Sequence, residues 1–127
     1  MFICTINPAF SEEEAPKAAV VKYHNLKPSF VANFGSGSSK KLKFVKADIS
    51  VRVSSSEAIT EVMSNDALVR HQIVMLLSRQ SDKTMSTTAG QEQIRLEALK
   101  LVQDVLKEET GSPQIEDLLF TSFIVQR

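Results

Sequence analysis

The imidazole and hydroxyls between His71 and Arg95, in HQIVMLLSRQSDKTMSTTAGQEQIR, are the side chains of this sequence best suited by type to covalent chemistry. Ser78 as nucleophile, His71 as general base and Asp82 or Asp66 as the carboxylate orienting that base would constitute a hydrolase. The spacing opposes it. His71 and Ser78 stand seven positions apart in a segment patterned as one helix, a rise of about 10 Å, whereas a base must lie within about 3 Å of the oxygen it deprotonates. No G-x-S-x-G elbow holds a serine on a strained turn. Hydroxyls that follow one helix are what the next one needs at its start, so Ser86-Thr87-Thr88 reads as capping, with Thr88 and Gln91 spaced as a capping box.

The other reactive types give weaker patterns. His24 and His71 are the only histidines, and neither has a carboxylate or second histidine at helical ligand spacing. Cys4 is the sole cysteine, which excludes an intrachain disulfide and a thiolate zinc site and leaves the redox compartment open. GSGSSKK supplies Gly35 and Gly37 but lacks both the third glycine of a dinucleotide fingerprint and the G-K-[ST] ending of a P-loop, so it reads as a hairpin loop. Lys40, Lys41, Lys43 and Lys46 form a local basic cluster whose ordinary role is to stay solvated and discourage edge aggregation; its alternative is contact with an acidic partner or lipid headgroups. Met63, Met75 and Met85 read as core filling ahead of an adaptable binding surface. No catalytic, cofactor-binding or metal-ligating residue is assigned from these patterns, and no cofactor is implied.

The elements that would position these groups are legible from periodicity. Residues 1–22, with two prolines and Glu12-Glu13-Glu14, show no sustained period and read as a flexible linker or soluble tether; the domain proper is residues 23–127. YHNLKPSFVANF is rich in aromatic and β-branched residues, and Pro28 makes it an edge or irregular strand. Val45, Ala47, Ile49, Val51 and Val53 alternate with Lys46, Asp48, Ser50 and Arg52, which puts one strand face in a core and the other in water and pairs this strand with the preceding one as an antiparallel hairpin. Ser55, Ser56, Glu57 and Asp66 are candidate caps for helices over 57–64 and 66–80. Apolar Ile73 to Leu77 cover more than a full turn, so the second of these helices is expected to be sandwiched inside the domain or against another subunit. Ile94, Ala98, Leu101, Val102 and Val105 mark one face of a helix that runs to about Glu109, flanked by Leu99 and Leu106 and stopped by Gly111 and Pro113. QIEDLLFTSFIVQR is apolar on both faces from Leu118 to Val125, the pattern of a central strand or of one paired at an interface. The class is α+β: a small antiparallel-type sheet with packed helices.

Bulk properties narrow the functions. A chain of 127 residues has the size of one domain with a core of its own, and 43% hydrophobic with 24% charged residues is an ordinary globular balance. Fifteen basic and fifteen acidic residues, with a pI near 6.7, remove the overall field that draws in nucleic acid or an anionic membrane. No run of apolar residues is long enough for a membrane span and MFICTINPAF lacks the build of a signal peptide, so these residues read as soluble, with any export signal or anchor outside them. More apolar helix and strand surface than one small sheet hides, without catalytic equipment, points to an interaction module.

Five stretches in order resemble the FliL family of flagellar basal-body-associated proteins, in its periplasmic C-terminal domain. YHNLKPSFVANF is similar to that family's Y-x-x-L-x-P-F-x-V-N, and KLKFVKADISVRV to R-Y-L-K-V-x-I-x-L-x-V. VRHQIVMLLSRQS is similar to I-R-D-A-I-L-L-L-L-S-S-K-T, STTAGQEQIRLEAL to L-x-T-x-E-G-K-E-x-L-R-x-E-L, and LLFTSFIVQR to V-Y-F-T-E-F-V-V-Q. The sequence departs from the pattern where Ser29 and Ala32 interrupt the opening motif. His71 and Ala89 replace acidic residues, and Ser122 stands where glutamate is frequent. The family's N-terminal membrane span is absent, the pattern of an excised domain or a paralogue exported another way. The resemblance implies a stomatin-like (SPFH-like) domain that forms a homo-oligomeric ring and supports or regulates the stator units of the motor in motility. It also implies a place on the periplasmic side of the bacterial inner membrane, at the basal body, reached through an anchor absent from this chain. It implies no enzymatic activity, and no nucleic-acid partner is expected. The alternative is an envelope protein-interaction module of the same fold unrelated to the flagellum.

Overall fold

The computed structural model describes residues 22–35 and 43–126, so most of the expected tether, Cys4, Glu12 to Glu14, Gly37, Lys40 and Lys41 lie outside the described residues. Three strands, β1 (Lys22–Asn33), β2 (Phe44–Val53) and β3 (Asp117–Gln126), form an antiparallel sheet in the order β1-β2-β3. Four helices connect β2 to β3: α1 (Ser56–Ser64), α2 (Asp66–Ser78), α3 (Asp82–Ser86) and α4 (Thr88–Thr110). The architecture is therefore α+β, with these helices inserted in one crossover.

Alternation in β2 builds the core. Val45, Ala47, Ile49, Val51 and Val53 are at most 1% exposed and point to the helix side. Against them pack Ala58 and Val62 of α1, Val69, Ile73, Leu76 and Leu77 of α2, Met85 of α3, and Ile94, Ala98, Val102 and Leu106 of α4. The α4 stripe advances four residues at a time, slightly more than one turn, so it crosses the sheet obliquely. Leu106, expected at its flank, is fully buried within it, while Leu101 and Val105 are half-buried. Gly111 ends α4 at φ 89° and donates its N–H to the Lys107 carbonyl, the left-handed stop expected of a glycine there.

Several expectations change. Among the described residues the strand at 117–126 is an edge strand, because β2 takes the centre, so burial among them does not explain its two-faced apolar character and the expectation of an interface strand is the one left. The run Ile73 to Leu77 is not covered on all sides within the domain: Ile73, Leu76 and Leu77 are buried, Val74 is half-buried and Met75 is 44% exposed, which leaves the alternative of cover by another subunit. The hydroxyl-rich stretch contains a helix of its own, α3, and the capping box is Ser81 with Thr84, each side chain bonding the other's backbone N–H. Thr87, not Thr88, caps α4 by accepting from Gly90 N, and Asn65, not Asp66, occupies the cap position of α2. Ser50, expected in water, is 3% exposed, its hydroxyl donating to the His24 carbonyl at 3.4 Å.

Candidate functional site

The groups proposed for hydrolysis are committed separately. Ser78 Oγ donates to the Met75 carbonyl one turn back at 2.9 Å, and His71 is exposed on the same helix. Asp82 pairs with Lys43 at 2.7 Å, which fastens α3 to the approach to β2, and Asp66 lies at the far end of α2 beside His24 and Met63. This arrangement does not bring nucleophile, base and orienter together. Among the described residues no group of three or more His, Cys, Asp or Glu side chains is placed to hold a metal ion.

What the fold does bring together is the middle of the sheet. Lys27, Pro28 and Ser29 of β1 all lie opposite Asp48, between the Leu26–Ile49 and Phe30–Ala47 pairs, and the Lys27–Pro28 peptide is cis. On the other side of Asp48, Thr121 is an extra residue in β3 between the Ser122–Asp48 and Phe120–Ile49 pairs. Two bulges thus face one another across a single residue of β2. Ser29 Oγ donates to Asp48 Oδ1, and Thr121 Oγ1 donates to the Asp48 carbonyl at 3.3 Å. A cleft of about 700 Å³ opens here, lined by the β1 bulge, Asp48 and Thr121. Behind the bulge the Arg70 guanidinium lies 4.0 Å over the Phe30 ring and donates to the Ser29 carbonyl at 3.3 Å, so α2 holds the irregular part of β1 in place.

A second joint ties α4 to β3. Arg95 forms two bonds with Glu92, at 2.9 and 2.7 Å, and reaches Asp117 at 2.8 Å and the Leu118 carbonyl at 3.0 Å. The hydrogen bond with Glu92, reinforced by Asp117, raises the Arg95 pKa against the opposing effect of burial. The same bond lowers the Glu92 carboxyl below its ordinary value. At the start of α4, Gly90 is a packing requirement: a Cβ there would meet Thr84 O at 2.4 Å and Thr84 Cα at 2.5 Å. Gly90 and Arg95 were visible in the sequence only as letters of STTAGQEQIRLEAL, since the contacts that tie them to other elements, Thr84 and Asp117, come from α3 and β3.

The surfaces left open are apolar in places. On the sheet face away from the helices, the Val31–Lys46–Ile124 row leaves Val31 57% and Ile124 50% exposed. Phe44 adds to this face at one end and Tyr23 at the other. On the helix side, Leu68 and Met75 stand seven residues apart on the outer side of α2. Met63 is also exposed, and of the three methionines expected in the core only Met85 is there. Lys46 is exposed as expected of a solvated cation, whereas Lys43 is engaged with Asp82. A rigid body with such patches can hold a partner by contact.

A family model described as flagellar basal body-associated protein FliL matches residues 23–126. A flagellar protein FliL of Aquifex aeolicus (strain VF5) is 27% identical over 116 residues, covering 89% of this chain and 68% of the relative.

Proposed function

The chain belongs to the FliL family of flagellar basal-body-associated proteins, and from that premise we propose that it is a non-enzymatic accessory of the flagellar motor that assembles with its own copies around the stator units and supports or regulates them. The fold on this reading is the stomatin-like one, placed on the periplasmic side of the inner membrane. Residues 1–22 link the domain to a membrane anchor. The observation that carries the proposal is the combination of a well-packed core with large apolar side chains left open on two sides, at Val31 and Ile124 on the sheet and at Leu68 and Met75 on α2. Among the described residues no helix is long and apolar enough to cross a membrane.

Anchoring raises the local concentration of neighbouring copies, and contacts too weak to persist in dilute solution then close into a ring. Such a ring favours whichever stator conformation it contacts better, in proportion to the difference in binding. The lateral contacts are drawn from α2 around residues 73–77, where Met75 is exposed, or from strand 118–125. Copurification of the membrane-anchored protein with stator subunits tests the reading, together with swimming and swarming of a deletion strain. Specific retention of stator subunits and impaired motility are expected. Absence of both refutes it.

A further inference from the structure

The free edge of β3 is built unlike the opposite edge of the sheet. β1 carries Lys22, His24, Lys27 and Pro28, charged, polar or lacking an N–H, which discourage strand addition. DLLFTSFIVQ has one charged residue, Asp117, and that carboxylate is held by Arg95. No described strand pairs with this edge, and Phe120, Phe123 and Val125 are only half-buried although they join the core.

The strand is also complementary to itself. Run antiparallel to a second copy about a two-fold axis between Thr121 and Ser122, it sets Phe120 against Phe123, Leu119 against Ile124 and Leu118 against Val125, with Asp117 opposite Gln126 at the ends. Residues directly opposite in an antiparallel pair must point to the same face. In a regular strand these partners, an odd number of residues apart, would point to opposite faces. The Thr121 bulge removes the conflict. Leu118, Phe120, Phe123 and Val125 all pair with the core-facing positions Val51, Ile49, Ala47 and Val45 of β2, whereas Leu119 and Ile124 pair with Ser50 and Lys46 on the other face. The extra residue that breaks the register with β2 is the one that makes the two halves of β3 match.

We infer that β3 is a homotypic pairing edge, through which two copies of this chain join their sheets into one six-stranded antiparallel sheet with the helices of both on the same side. The inference names a pairwise, isologous contact, separate from the head-to-tail contacts that close a ring, and it merges the two open sheet faces with their Val31, Lys46 and Ile124 rows into one surface. Sedimentation equilibrium of the full chain, over a dilution series with a reductant present to exclude bridging through Cys4, should give a monomer–dimer equilibrium. Ile124→Lys changes a half-exposed side chain outside the core, and because the pair it disrupts occurs twice in the dimer it should weaken association about tenfold. Adding Leu119→Glu to that variant sets the new carboxylate of each copy opposite the new ammonium of the other and should return the affinity to within about threefold of the original, although the strand is now less apolar. Hydrogen exchange of the β3 amides in the unaltered chain should slow as concentration rises. A monomer at every concentration, a dimer indifferent to Ile124→Lys, or a double variant no tighter than the single one overturns the inference. A monomeric chain that still retains stator subunits sinks the β3 contact alone; a β3 dimer that retains none sinks the stator reading alone.

Discussion

Replacing Gly90 with alanine tests the packing of the α3–α4 joint, because two effects of known sign compete there. In the helix, alanine is favoured over glycine by at most about 1 kcal/mol. Against this, the new Cβ would stand 2.4 Å from Thr84 O and 2.5 Å from Thr84 Cα. These are backbone atoms of α3, so no side chain can swing aside, and α3 must move away from α4 by about 1 Å, carrying the buried Met85 with it. Overpacking of this kind costs about 1–3 kcal/mol, and a backbone obstacle belongs at the upper end. The net expectation is a loss of about 2 kcal/mol, which for a domain of this size lowers Tm by about 8 °C. Thermal unfolding followed by circular dichroism measures it. Gly111→Ala is the control: nothing lies within 4 Å of its Cβ, and the penalty there comes from φ 89° alone, about 1 kcal/mol. An unchanged or raised Tm for Gly90→Ala would refute the reasoning.

Three further outcomes are expected. Glu92 has its folded pKa lowered by the Arg95 bond, so the stability it lends is present above the ordinary carboxylate pKa and is lost as pH falls through the lower folded value; Glu92→Gln should therefore flatten the acid limb of a pH–Tm profile and leave the neutral limb nearly parallel to that of the unaltered chain. Arg70→Met removes the cation from the Phe30 ring and the bond to the Ser29 carbonyl, and should cost about 1–2 kcal/mol in chemical denaturation, with faster amide exchange confined to the β1 bulge. His71→Ala and Ser78→Ala should leave swimming speed unchanged, since Ser78 serves its own helix and His71 is exposed; loss of motility with a folded protein would reopen the hydrolytic reading.

Much of the fold was legible in the sequence where a signal depends on near neighbours. The alternation from Val45 to Val53 identified β2 and its core face, Pro28 identified β1 as an irregular edge, and the Ile94–Ala98–Val102 period with Gly111 bounded α4. Ser55 capped α1 as expected, its side chain accepting from Ala58 N. The failures have a common origin. An apolar strand reads the same whether a neighbouring strand or a second molecule completes it, so 118–125 pointed to the sheet centre as readily as to its free edge. The continuous run at 73–77 likewise signals hydrophobic surface without saying how much of it this chain covers.

The composition and local periods of this chain determined an α+β domain and its element order apart from α3, since each follows from residue types and spacings within a few turns or a single strand. The family resemblance too was carried by short stretches read in order. Only the tertiary structure decided that β2 lies between β1 and β3, that two bulges meet across Asp48, that Arg95 joins α4 to β3 and that Gly90 must be bare. Most of those features pair residues far apart in the chain, Thr121 with Asp48 across 73 positions among them, and even the contact of Gly90 with nearby Thr84 is set by how α3 stacks on α4, which no local pattern encodes.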